Sequence, residues 1–357
     1  MHRGALLVAA SACGRLHFDP LGGDVTGETA NFVFATATKH IPGSFGGYAG
    51  ADNTCQQAAD AAGLPGHYVA WLSSGAVNAV DRLGGARGWV RPDGLPFVNT
   101  IAELVSDGVY YPPSLDENGV PIPKTDEWIC TSTSDGQLDL GDGCAEWTST
   151  TGDVTGGLAW GAGAQSWTTW TTHVMGCAQA ARIYCFGIDR VDTVAPTAIV
   201  GRRSFVSPTW APAGGIAAAD LHCQTAADAA NLGGNWGALL ATSTAAAISR
   251  FDLNGLPWKR LDEVRVASSA DALAAGNLDA GFALDAGGAR SGSGIVRFGA
   301  TGPDLVATLA TTCNDWQSSS SVDVALSGYT EMAGHQAFDG VGMWACSMPA
   351  SIYCLER

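Results

Sequence analysis

Sulfur is the chemistry that this sequence repeats. Eight of its ten cysteines fall at matching positions in two halves: Cys55/Cys223, Cys144/Cys313, Cys177/Cys346 and Cys185/Cys354. Four thiols per half can close two disulfides or hold one tetrahedral metal. Structural zinc sites use closely spaced Cys and His pairs. Here no C-x-x-C spacing occurs and no histidine recurs between the halves, so the thiols read as two disulfides per half in an oxidising compartment. Three pairings are open to each set of four. Cys130 has no cysteine counterpart; at the prevailing offset Gly299 stands in its place, and Cys130 is expected to be a buried free thiol.

Two other groups could carry chemistry. Asp135, Asp139 and Asp142 in TSDGQLDLGDGC are the best set of oxygen ligands for a hard cation such as calcium. Their spacing is not that of an EF-hand, and the second half (ATGPDLVATLATTC) lacks them. Trp160, Trp167 and Trp170 lie among Gly and Thr in GGLAWGAGAQSWTTWTTH. Aromatics on a loop can present a ligand or partner surface; they can equally roof a small core. The sequence points away from an enzyme. HExxH, GxSxG and phosphate-loop patterns do not occur, and the seven histidines are scattered.

The elements that must position these residues occur twice. ADNTCQQAADAA (51–62) and ADLHCQTAADAA (219–230) share nine of twelve residues, a density that marks an internal duplication. Each reads as a helix, with Asp52 or Asp220 as N-cap and Gly63 or Asn231 in the left-handed C-terminal position. Cys55, Ala59 and Ala62 share one small face, so the helix can lie close to a partner and be tied to it. Ala76–Leu83 and Ala245–Phe251 suggest a second helix per half. Short aromatic and β-branched runs between Gly, Asp, Asn and Pro turns then read as strands. Tyr110–Lys124 and Thr131–Gly143 are long irregular stretches. The expected fold class is α+β, helices first and a small loop-rich antiparallel sheet after, with units at 31–187 and 198–357 and a linker at 188–197. A net charge of −16 without a basic cluster argues against nucleic acid and anionic lipid surfaces as partners.

The first residues read as an export signal over 1–12. A basic His2-Arg3 precedes an apolar run of signal length, too short to span a bilayer. Ala10-Ser11-Ala12-Cys13 looks like the lipobox of bacterial lipoproteins, which are acylated on the cysteine and cleaved before it. Lipidation of Cys13 would anchor the mature chain, and Gly14 after it favours the outer membrane of a Gram-negative cell. Residues 13–30 form a flexible tether.

An early-helix cysteine, a late cysteine pair eight residues apart and a terminal (R/S)IYC strand resemble the C-type lectin-like fold. The motifs GGYAGADNTCQQAADAAGLPG, AWLSS, WVRPDG, CAEWTS and RIYCF, with ALLATS, WKRLDE, CNDWQSS and SIYCL in the second half, are similar to endostatin and its bacterial relatives of unassigned function. The resemblance implies two tandem lectin-like domains and a nested pairing: Cys55–Cys185, Cys144–Cys177, Cys223–Cys354 and Cys313–Cys346. It also implies that the Trp160–Trp170 region forms an exposed face. Sugar-binding members hold calcium with Glu-Pro-Asn or Gln-Pro-Asp and Trp-Asn-Asp, none of which occurs here. Asn314-Asp315-Trp316 has the residue types in another order. The function expected is a lipid-anchored, non-catalytic binding or adhesion module for a glycan, matrix or envelope-protein ligand, without a required cofactor. A structural envelope protein without a small ligand is the alternative, with a secreted hydrolase after it.

Overall fold

The computed structural model describes residues 29–106, 108–124, 128–139, 143–163, 166–170, 174–291 and 294–357. The signal segment and Cys13 lie outside them. The fold is α+β, with one topology laid down twice. In the first unit the strands are β1 (Asn31–Ala35), β2 (Tyr68–Ala70), β3 (Trp89–Val90), β4 (Pro96–Val98), β5 (Trp128–Cys130), a small hairpin of β6 (Thr133–Ser134) and β7 (Gln137–Leu138), β8 (Asp153–Leu158), β9 (Val174–Gly176) and β10 (Arg182–Gly187). The sheet runs β4-β3-β1-β10-β5-β8-β9, with β2 also on β10. The second unit has β11 (Arg202–Val206), β12 (Trp236–Ala238), β13 (Trp258–Lys259), β14 (Ile295–Arg297), β15 (Val324–Tyr329), β16 (Gly342–Ala345) and β17 (Tyr353–Glu356). Its sheet is split into β12-β17-β11-β13 and β14-β15-β16, joined by the bridge of Val296 to Ser351. In both units the last strand lies antiparallel to the first: Phe34 faces Cys185, and Phe205 faces Cys354.

A fifteen-residue helix, Tyr48–Ala62 or Gly215–Ala229, follows the first strand of each unit; the helices-first order expected from the sequence is therefore corrected, a strand leading each unit because it pairs with the last one. Ala51, Cys55 and Ala59 are its buried residues in the first unit, and Ala219, Cys223 and Ala227 among those of the second. Small side chains on this four-residue repeat let the helix approach the sheet closely enough for Cys55 to reach Cys185 at a Cα separation of 5.4 Å. The bridges are Cys55–Cys185, Cys144–Cys177, Cys223–Cys354 and Cys313–Cys346, the nested order that the resemblance implies. Gly63 and Asn231 take the left-handed conformation at φ 72° and 56°. The N-cap expectation fails. The helices start at Tyr48 and Gly215, one full turn before Asp52 and Asp220. Each carboxylate instead accepts the backbone N–H of the adjoining strand at 2.9 Å, from Ala70 or Ala238. Each also pairs with an arginine, Arg82 or Arg250. These aspartates clamp helix to sheet.

The second helices are shorter than expected, 3-10 turns at Val80–Leu83 and Ala247–Arg250. The N–H groups that a helix would use internally are taken from outside it: Ala79 donates to Ser73 Oγ at 2.9 Å and Val80 to the Gly136 carbonyl at 3.0 Å. Ile248 likewise donates to Pro303. Ile188–Val194 is not a free linker. Asn31 bonds the main chain of Arg190 at both its N–H and its carbonyl, and Val194 is buried.

Each unit also contains a left-handed turn of four non-glycine residues. Cys144, Ala145, Glu146 and Trp147 have φ of 55°, 49°, 57° and 64°; Cys313, Asn314, Asp315 and Trp316 have 50°, 56°, 50° and 65°. Left-handed backbone costs an L-residue about 1–2 kcal/mol, so the turn must be over-determined. Three anchors do this. Its first residue is disulfide-bonded. Its last is a fully buried tryptophan. Its third is a carboxylate held on the preceding loop: Glu146 takes the Ser74 hydroxyl and the Ala76 N–H, and Asp315 takes Ser243 through both N–H and hydroxyl.

Strand register corrects one equivalence. Ile129 faces Arg182 as Val296 faces Ser351, so Cys130 matches Arg297, not Gly299. An insertion and a deletion that cancel hide this shift in the sequence. Cys130 is buried without a disulfide partner. Arg297 is also fully buried; burial draws its pKa down to about 10. Its guanidinium donates to the carbonyls of Ala345, Cys346 and Met348.

Candidate functional site

The units meet along a shared core that includes Trp160, Ala162, Met332 and Ala333. At the edge of that junction lies a cleft of about 520 Å³, walled by Arg91, Asp93, Ser114 and the 119–124 loop on one side and by Ser268 and Asn277–Asp279 on the other, with Trp160 among its lining. Concavity, apolar walls and a few convergent polar groups are the usual features of a small-ligand site.

Each wall residue is fixed by its element. Arg91 follows β3, and its guanidinium grips Asp93 with two hydrogen bonds while reaching the Pro112 carbonyl at 3.3 Å. Asp93 is solvent-accessible at the cleft rim; partial desolvation there would raise its carboxyl, and the Arg91 charge and its hydrogen bonds outweigh this and hold it below the usual carboxylate range. The indole N–H of Trp160 donates to the Ile122 carbonyl at 3.0 Å, and the Lys124 ammonium stands 5.0 Å from the indole centroid. Lys124 also crosses the junction to the Gly276 carbonyl at 3.3 Å. Asp279 receives Arg265 Nε at 2.7 Å. Both carboxylates in the wall are therefore neutralised by arginines. What is offered to a ligand is hydroxyl, amide and carbonyl chemistry, with the Lys124 ammonium, beside Ile122, Pro121, Leu278 and the indole.

At the matching place on the other side of the junction an arginine crosses the gap. The turn Leu115–Pro121 corresponds to Leu284–Arg290, since both are closed by the same bridge. Pro121 thus stands where the second unit has Arg290, and Arg290 spans its gap to the Val109 carbonyl. Proline has no side chain long enough to do so, and on the first side the crossing contact is that of Lys124 with the Gly276 carbonyl.

The residues singled out from the sequence part company. Trp160 lines the cleft. Trp167 is fully buried in the first core, 5.3 Å from Trp71 and 5.4 Å from Tyr184 between ring centroids; its place is in the core rather than on an exposed face. Trp170 packs edge-on against Tyr329 of the other unit at 5.0 Å. Asp139 accepts the Thr169 hydroxyl at 2.8 Å, Asp135 sits at φ 50° in the β6–β7 hairpin, and Asp142 lies outside the described residues. Among the described residues no three His, Cys, Asp or Glu side chains converge as a metal site, and no helix is long and apolar enough to cross a membrane. Arg91, Asp93, Lys124, Asn277 and Asp279 were not foreseen as site residues. The one sequence signal was Arg-x-Asp in WVRPDG, repeated as Arg260-x-Asp262 in WKRLDE. No protein-family model matches this chain, and no curated protein is similar enough to count as a relative.

Proposed function

We propose that this chain is an exported, lipid-anchored binding module: two C-type lectin-like domains of the endostatin kind, presenting the junction cleft to a neutral polyhydroxylated ligand such as a glycan of the cell envelope or matrix. The cleft carries this reading. Its two carboxylates are each held by an arginine, which disfavours a cationic ligand, and its hydroxyl and amide groups stand beside apolar walls, as the polar rim and C–H faces of a sugar require. The early helix after the first strand, the paired first and last strands and the nested bridges support the lectin-like assignment. The paired cysteines and the Cys13 lipobox support export and anchoring.

The test is a glycan and envelope-extract screen of the ectodomain, with and without calcium, against Pro121→Arg, which places a crossing side chain where Arg290 lies in the second unit. The reading expects binding by the native chain and its loss in the variant at unchanged melting temperature. Cys13→Ser should release the chain from membranes; retention would remove the anchor from the reading. A structural envelope role is the second reading, favoured by the core shared across the junction. A screen without hits would leave that reading standing.

A further inference from the structure

The junction brings together the same residues from both units. Leu158 and Tyr329 correspond, since each pairs with the first residue of the equivalent strand, Trp128 or Ile295. Three residues on, Gly161 and Met332 correspond in turn, and these two form an antiparallel bridge with each other. On either side the hydrogen bonds are images: Ala162 N–H donates to the Glu331 carbonyl at 3.1 Å, and Ala333 N–H donates to the Trp160 carbonyl at 2.9 Å. Ala162 corresponds to Ala333, and Trp160 to Glu331. A second patch behaves alike. Leu95 and Val264 correspond, because each closes the turn opened by Arg91 or Arg260. Tyr111 and Ala280 are likewise a pair, each one residue beyond a donor to the equivalent carbonyl, Phe97 or Val266. All four lie in one apolar cluster.

A residue meeting its own counterpart, flanked by exchanged hydrogen bonds, is the signature of a two-fold axis in an isologous interface. We infer that the two units meet as the two copies of a symmetric dimer meet, and that this face, rather than the linker, holds them together. The partner it fits is a second copy of the unit. All four disulfides lie within units, so sulfur does not tie one half to the other.

The experiment uses the full chain carrying Cys13→Ser and a protease site in the exposed stretch 195–198. After cleavage, light scattering on a sizing column at low micromolar concentration should return the mass of the intact chain under non-reducing, non-denaturing conditions. Two separate halves would overturn the inference. Gly163→Leu combined with Trp170→Ala attacks the face itself: a Cβ on Gly163 would lie 1.9 Å from a Glu331 carboxylate oxygen, and Trp170 would leave Tyr329. In the cleaved variant the halves should part while each keeps its two disulfides and its circular dichroism. Halves that stay together in that variant would equally refute the assignment of the face. Neither outcome depends on whether the cleft binds a sugar.

Discussion

Replacing an exposed alanine by glycine normally weakens a folded protein, and here one such change should strengthen it. Ala145 is exposed at φ 49°, second in the left-handed turn of the first unit. Its backbone conformation costs about 1–2 kcal/mol for a residue with a Cβ and almost nothing for glycine. Glycine gives back roughly 0.5–1 kcal/mol through the freer unfolded chain. Ala145→Gly should therefore stabilise by about 0.5–1 kcal/mol, near 2–3 °C if the unit melts on its own. The comparison that makes this sharp is Ala61→Gly, an exposed position in the first helix, where the same change should cost up to about 1 kcal/mol. Asn314→Gly, at the matching place of the second unit with φ 56°, should gain less than Ala145→Gly, because asparagine already tolerates this region. Guanidinium melts of the oxidised protein read all three. If Ala145→Gly weakens the fold by as much as Ala61→Gly does, the turn is not left-handed in the native state, and the argument from its three anchors collapses.

Removing the outer bridge of the first unit (Cys55→Ser with Cys185→Ser, separation 130) should cost up to about 5 kcal/mol in the chain-entropy model, against about 3.7 for Cys144–Cys177 at separation 33; equal losses in denaturant melts would show that loop closure is not the deciding factor. Burial raises the Cys130 thiol far above its ordinary value, so in a Cys13→Ser background it should resist a thiol reagent at pH 8 until denaturant is added, and rapid labelling of the native protein would contradict that burial. The carboxyls of Asp93 and Asp262 are held low by Arg91 and Arg260 against partial desolvation. The stability they contribute is complete above their unfolded value of about 3.9 and is lost as pH falls through the depressed folded values; Asp93→Asn should flatten the melting-temperature profile below about pH 4, and an unchanged profile would remove this pair from the acid response. Arg290→Ala should clear the side chain that crosses the counterpart of the cleft, and calorimetry with any ligand found should then give two sites per chain instead of one; a single site would refute the equivalence of the two places.

Much of the fold could be read in the sequence because duplication printed it twice. The repeated helix, the paired cysteines and the left-handed ends at Gly63 and Asn231 all follow from local residue types. Asp52 was misplaced for an equally local reason: an aspartate before an alanine run looks like a cap, and only the strand packed beside it shows what the carboxylate receives. Cys130 was matched to Gly299 because a slip of two residues and its reversal leave no net offset. The cleft was the least visible feature. Arg91, Lys124, Asn277 and Asp279 come from loops far apart in the chain, and nothing local marks them as neighbours. Trp167 and Trp160 belong to one glycine-rich loop, yet one is swallowed by the core and the other reaches the junction. Composition alone does not separate those fates.

The strand order has a bearing on biosynthesis. In the first unit the strand that touches most others, β10, is the last to be made, and in both units the last strand supplies the sulfur that locks the first helix. A ribosome or translocon therefore delivers more than a hundred residues before the keystone arrives. Until then the unit lacks the partner of its first strand and of its first helix's cysteine; on the proposed export route it would be threaded in that open state and close only on the far side.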